Sequence, residues 1–326
     1  MTGPHPATAA IRVAVRAALA ECDPGDLVLV ACSGGGDSLA LAAAVAFEAP
    51  RLGVRAGAVV VDHGLAADSA EVARRASAQC DALGLAPSSW ATVEVAAGTD
   101  GLEAAARQAR YAALDAAADR HGARLVLFGH TLDDQAEQVL LGLTRGAGAR
   151  SLSGMPRARD RFRRPLLGVT RGQTRASCAA EDLTWWDDPM NADPSFTRVR
   201  ARRALVDLER DLGPGVAAAL ARTADQLRED ADHLDLLADQ AVTDLGAGPW
   251  AAADLAVLPR AVRTRVWRRL AVAAGAPAGQ VSTRHTEACD SLLTRWHGQG
   301  PVSLPGALLV TRSDGRVSIA ASPRVE

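Results

Sequence analysis

The sequence predicts an α/β protein: a parallel-sheet, doubly wound domain followed by a mainly helical C-terminal domain with a short β element. Three observations carry this expectation. Between residues 26 and 145, short apolar runs alternate with helical stretches. The turns after the first and fourth runs are rich in glycine or acid. Beyond Leu212-Gly213-Pro214-Gly215, a strong break signal, the pattern becomes helical almost to the end.

The N-terminus sets Arg12 and Arg16 in an Ala/Val pattern before Glu21, Asp23 and Pro24, which reads as a short amphipathic helix without the unbroken apolar core of a signal segment. Strands are expected at 27–32, 56–62, 90–95 and 124–128, and helices at 37–48, 68–84, 102–121 and 133–144. Near-continuous apolar strands separated by amphipathic helices indicate a parallel sheet covered on both faces, with ligands beyond the carboxyl ends of the strands. The loops at 33–38, 62–67 and 129–134 are therefore the places to search for a site. Residues 145–203 are less regular and strongly basic, and the glycine break divides the chain into domains 1–212 and 213–326.

In the second domain Leu220, Leu227, Leu234 and Ala241 recur every seven residues, with Ala224, Ala231 and Ala238 between them, predicting one long packed helix. A second helix is expected through about 255–273 and a third through about 283–295. The tail reads as a small β meander or hairpin.

Composition bounds the chemistry. The chain has 326 residues, 48% of them hydrophobic, and a formal charge of -2, as a soluble globular protein does. It contains no Lys, so all 36 Lys-plus-Arg positions are Arg. That excludes a Walker A loop and Schiff-base catalysis through Lys. The longest uncharged runs, 27–36 and 38–47, are about half the length of a membrane span. Cys22, Cys32, Cys80, Cys178 and Cys289 are odd in number, scattered and never in CxxC, which argues against a disulfide framework, a zinc ribbon or an iron–sulfur site. A cytoplasmic protein is expected.

Ser33-Gly34-Gly35-Gly36-Asp37-Ser38 follows the first strand and opens a helix. Glycine lets backbone approach a ligand, and the helix start offers free N–H groups and a positive dipole end to an anion. Asp37 would be a carboxylate on the Mg²⁺ side and Ser38 a hydroxyl on phosphate; a plain capped turn is the bland alternative. Gly129-His130-Thr131-Leu132-Asp133-Asp134-Gln135-Ala136-Glu137 closes the fourth strand and starts a helix. Its paired acids could simply stabilise the helix dipole, or with His130 suggest a dinuclear metal hydrolase, which would need further ligands.

The hexapeptide resembles the pyrophosphate loop (SGGxDS) of the N-type ATP pyrophosphatases, which implies splitting of ATP to AMP and pyrophosphate with adenylation of a carbonyl-type oxygen. Further segments resemble one branch, the tRNA(Ile)-lysidine synthetases. These are Val61-Asp62-His63-Gly64-Leu65 (VDHGLR, with Ala66 at the Arg), Glu103–Tyr111 (EAAARxARY), residues 129–137 (GHxxDDQAE), Arg145–Met155 (RGxG…LxGM), Trp186–Asn191 (WxDPSN, with Met190 at the Ser) and Phe196–Arg202 (YxRNRIR, with Val199 at the Asn and Ala201 at the Ile). The resemblance covers roughly residues 26–212 and is looser beyond.

It implies nucleotide contacts from Ser33, Gly34, Gly35, Gly36, Asp37, Ser38, Asp62, His63, Arg110 and Gly129, and catalysis by Asp37, His130, Asp133, Asp134 and Arg202, with ATP and Mg²⁺ as cofactors and the metal on Asp37 and Asp133. Arg202 would contact the lysine carboxylate or the adenylate. The implied reaction joins free L-lysine to carbon two of the wobble cytidine of a tRNA(Ile) with a CAU anticodon, through an adenylated tRNA. A homodimer is a candidate assembly, and no membrane partner is expected. Trp185 or Trp186 could stack on a base, with core packing expected for at least one. Arg260, Arg263, Arg265, Arg268 and Arg269 would suit a tRNA stem or form a solvated helix face. The alternatives are another tRNA-modifying enzyme with this loop, such as a thiolase, and a catalytically silent tRNA-binding protein.

Overall fold

The computed structural model describes residues 3–62, 69–92, 102–146 and 148–322. The chain forms two compact units, Met1–Leu227 and Arg228–Glu326.

In the first unit, α1 (Pro6–Leu19) precedes β1 (Leu27–Cys32), α2 (Gly36–Glu48), β2 (Arg55–Asp62), α3 (Ser69–Ala82), β3 (Ser88–Thr92), α4 (Leu102–His121), β4 (Ala123–Phe128) and α5 (Leu132–Thr144). A short α6 (Ala149–Leu152), β5 (Ala158–Arg159), β6 (Phe162–Arg163), α7 (Arg171–Ala180) and α8 (Thr197–Leu212) follow. The sheet order is β3-β2-β1-β4-β6-β5. Its pairings are parallel except for β5 against β6. Residues 93–95 of the expected third strand lie outside the described residues.

β1 pairs with β2 on one side and β4 on the other, so the strand order reverses at β1. A crevice opens beyond the carboxyl end of a strand at such a switch point. The two suspected loops, each following one of these neighbouring strands, are thereby brought side by side. Both sheet faces are covered, as a strand with five of its six residues buried requires. One core holds Ile11, Val15 and Leu19 of α1, Leu39 and Leu41 of α2, and Cys80 of α3. The other packs Leu114 and Ala118 of α4 on Leu29, Val126 and Phe128. α2 is apolar on nearly every side because it is covered on nearly every side, from Ser38 through Val45.

The basic stretch after residue 145 proves more ordered than its pattern predicts. β5 and β6 are two residues each, too short to show a period, and α7 adds a further covering helix.

α9 (Val216–Leu245) runs through the division between the units. Its alanines Ala224, Ala231 and Ala238 are fully buried, whereas the leucines of the seven-residue repeat are only partly so. In the second unit β7 (Trp250–Ala251), α10 (Ala252–Ala256), α11 (Arg260–Ala273), α12 (Thr283–Thr294), β8 (Val302–Leu304), β9 (Leu308–Ser313) and β10 (Arg316–Ala321) surround a core centred on Trp267, Val266, Leu270, Leu292, Val310 and Val317. One expectation is corrected here: the helix expected over 255–273 is broken, because Pro259 cannot continue α10 and instead caps α11. The tail forms an antiparallel meander, β8-β9-β10, as expected, and Trp250-Ala251 adds a fourth strand in the order β7-β10-β9-β8. Among the described residues, no helix is long and apolar enough to cross a membrane.

Candidate active site

Beyond the carboxyl ends of β1 and β4 lies a pocket of about 320 Å³, within the range of small-molecule sites. The loop after β1 forms one wall. Gly34 adopts φ +79, and a Cβ there would lie 3.2 Å from that of Ala76, so conformation and space both require glycine. Ser38 Oγ donates to Gly35 O at 2.9 Å and accepts from Ser33 N at 3.1 Å. This hydroxyl shapes the loop from within and is buried. Gly35 caps α2 without a side-chain bond, leaving the first amides of the helix to an anion.

The loop after β4 forms the facing wall, with Gly129 pressed against the Asp37 backbone. Thr131 and Asp134 make a capping box that starts α5, with Thr131 N donating to Asp134 Oδ2 at 2.8 Å. The adjacent acids then diverge. Asp134 lines the pocket. Asp133 is not among the lining residues; its Oδ2 accepts from Arg171 N at 2.8 Å, where α7 begins. Arg171 ties the centre together, donating to Asp134 Oδ1 at 3.0 Å and to Glu137 Oε1 at 3.4 Å, with its Nε 3.6 Å from Asp37 Oδ2. Arg202 Nε donates to the same Glu137 oxygen at 2.7 Å, so the buried Glu137 anchors two cations.

This packing sets the charges. Burial raises the Asp37 pKa, and Asp134 and Asp133 add to the rise against the Thr174 hydroxyl bond and Arg171. Burial also works to raise Asp134, but Arg171, His130 and the Thr131 bonds outweigh it and hold the carboxyl below its usual range. Burial pushes His130 down to about 4, with Asp134 opposing and Arg164, Arg107 and Arg198 assisting. His130 is therefore neutral near pH 7, and its buried Nδ1 has no hydrogen-bond partner among the described residues.

The pocket brings together Ser33, Gly35, Gly36, Asp37, Ser38, Arg110, Gly129, His130, Asp134 and Arg202. The side chain of Asp62, and His63 entirely, lie outside the described residues. Trp185 packs against the core, while Trp186 lines the pocket and its N donates to Gly34 O at 3.0 Å. Sequence reasoning missed Glu137, Arg171, Thr174, Arg175 and Asp187. Thr170-Arg171-Gly172-Gln173 is a capping box that could have marked α7, and Glu137 lies one turn beyond Asp133 and Asp134.

Among the described residues, no group of three or more His, Cys, Asp or Glu is arranged for a metal. Mg²⁺ needs less: one or two carboxylates, with waters and substrate phosphates completing its shell. Asp37 and Asp134, both lining the pocket beside the uncapped start of α2, fit that requirement. The arginines of α11 are engaged within their own unit: Arg260 with Glu287, Arg263 with Asp290, Arg265 with Asp235, Arg269 with Asp239, and Arg268 with the carbonyls of Val281 and Ala278.

Comparison with known proteins agrees with this geometry. Residues 9–209 match the PP-loop domain model, and residues 251–318 match the TilS substrate binding domain. The chain is 54% identical over 324 residues to the tRNA(Ile)-lysidine synthase of Thermobifida fusca, covering 98% of this chain and 100% of the relative. It is 52% identical over 349 residues to that of Streptomyces coelicolor, covering 97% and 99%. Among solved structures, the U34-tRNA thiolase NcsA from Methanococcus maripaludis aligns with a TM-score of 0.56 at 17% identity, covering 68% of this chain and 80% of that one, a likeness of fold. The pyrophosphate-type loop, the paired-acid loop facing it and these full-length matches converge: the chain belongs to the tRNA(Ile)-lysidine synthase family.

Proposed function

We propose that this chain converts the wobble cytidine of a tRNA(Ile) with a CAU anticodon to lysidine, using ATP and free L-lysine. The observation that carries the reading is the convergence of the β1 and β4 loops on one pocket walled by Asp37, Asp134, Arg110 and Arg202. In the first step, oxygen two of the cytosine attacks the α-phosphorus of ATP and pyrophosphate leaves. In the second, the lysine ε-amine, as its free base, attacks carbon two, AMP leaves, and the proton from the new C–N nitrogen passes to solvent.

The amides at the start of α2 and the Arg110 guanidinium receive phosphate charge. Asp37 would hold Mg²⁺, which would supply positive charge to the phosphate oxygens. Asp134, ionised at neutral pH, holds the lysine ammonium, and Arg202, set in place by Glu137, receives the lysine carboxylate. Neutral His130, in the pocket wall, would donate its ring N–H to the phosphoryl or base oxygen. Asp133 holds the start of α7 and so positions Arg171. The target base leaves the anticodon loop, where unstacking is cheap. We place the reaction in the cytoplasm, where ATP, lysine and tRNA meet.

The test is incorporation of radiolabelled lysine into acid-precipitable RNA with ATP and Mg²⁺, using isoleucine tRNA with a CAU anticodon beside a methionine tRNA. ATP-dependent label in the isoleucine tRNA alone is expected. Pyrophosphate release without label in either RNA would keep the nucleotide chemistry and reject the acceptor.

A further inference from the structure

We propose that Arg107 and Arg198 form a seat for one phosphodiester of the RNA strand whose base enters the pocket, a reading that rests on the lysidine-forming function above. Arg107 stands one turn before Arg110 on α4, and Arg198 one turn before Arg202 on α8. Each extends a pocket-lining arginine along its own helix face. Neither Arg107 nor Arg198 lines the cavity itself.

Arg107 is held in place. Its Nη2 donates to Tyr111 Oη at 3.3 Å, and the buried Arg164 donates to the same oxygen at 2.7 Å. The Tyr111 ring is fixed in turn against Phe128 and Phe162. Arg198 is half-exposed and forms no hydrogen bond or ion pair with the described residues. Arg107 and Arg198 both depress the pKa of Arg110, after desolvation, and both depress that of His130.

Cations gathered in this way repel one another, and an anion beside them relieves the repulsion. Arg110 and Arg202 already face the nucleotide-sized cavity. Charge placed one turn beyond each of them suits an anion that continues outside it, as a nucleic-acid backbone does. Arginine suits that anion because its planar fork matches two phosphate oxygens.

Equilibrium binding of full-length isoleucine tRNA with a CAU anticodon to the intact chain, over a series of salt concentrations, tests this. Arg198→Ala is expected to bind roughly tenfold more weakly, the value of one charge-assisted hydrogen bond. Its plot of log affinity against log salt is expected to flatten by about 0.7–0.9, one phosphate contact. Arg107→Ala behaves alike, Arg198→Lys restores the slope, and calorimetric ATP affinity stays at the unsubstituted value. Unchanged slopes in both alanine variants, or a loss of ATP affinity in place of RNA affinity, overturn the seat. An unsubstituted chain that binds the tRNA without incorporating lysine would reject the functional reading instead, and the slopes would still decide the seat.

Discussion

Gly129 approaches Asp37 so closely that a Cβ on it would lie 2.9 Å from the Asp37 carbonyl carbon and oxygen and 3.0 Å from Ser38 Cα. All three obstacles are backbone. They belong to the first turn of α2, which carries the proposed phosphate-binding amides. Gly129→Ala must push the two loops apart, with an overpacking cost of about 1–3 kcal/mol. A lower melting temperature and a larger fall in pyrophosphate release are expected. Wild-type turnover at unchanged stability would show that the loops can separate freely.

Glu137 is buried with two guanidiniums on one oxygen. Glu137→Gln keeps the shape and removes the charge, leaving Arg202 and Arg171 with a weaker anchor. A loss of about 1–3 kcal/mol in stability is expected, together with a KM for lysine that rises more than the KM for ATP. Equal rises in both would place the effect on the whole pocket and not on Arg202.

His130 gives stability a pH window. Its folded pKa, about 4, lies below the ordinary 6.5, so the unfolded chain binds the proton first. The stabilisation is complete above the unfolded value, is lost as pH falls from about 6.5 to 4, and amounts to up to about 3 kcal/mol. His130→Asn is expected to flatten melting temperature against pH in that interval. Asp134, whose folded pKa is depressed, contributes stability that is lost only below about pH 4, so the two windows are separable.

Arg263 and Asp290 form an ion pair inside the second unit, where Arg263 also donates to Leu258 O at 2.8 Å. Arg263→Ala strands a buried carboxylate, and urea unfolding is expected to show a loss of about 3–5 kcal/mol. ATP binding, assigned to the first unit, is expected to persist in that variant at low urea.

Much of the first unit was legible because its signals are long. β1 and β4 are six-residue apolar strands, and the loops after them carry residue types that few structural roles demand together. Adjacency of these loops followed from the switch-point rule once the strands were placed. What stayed hidden was hidden for physical reasons. β5 and β6 are too short for a period, and β7 joins its sheet through a partner some 65 residues away. Arg171 enters the site through a helix read only as basic loop. Asp133 and Asp134 cannot be told apart by type or spacing, yet one accepts the amide that starts α7 and the other faces the pocket. The arginines of α11 look available in sequence because their partners Asp235, Asp239, Glu287 and Asp290 lie on other helices.

Among the described residues, every cation in the pocket wall is a guanidinium: Arg110, Arg171, Arg175 and Arg202. In the proposed reaction the activated cytosine carbon waits for an amine, and a neighbouring lysine side chain would compete with the free amino acid and trap the enzyme on its own substrate. Guanidinium stays protonated and is a poor nucleophile, so it carries the charge without entering the chemistry. A chain with no lysine has no side-chain amine to compete for the bond it is proposed to make.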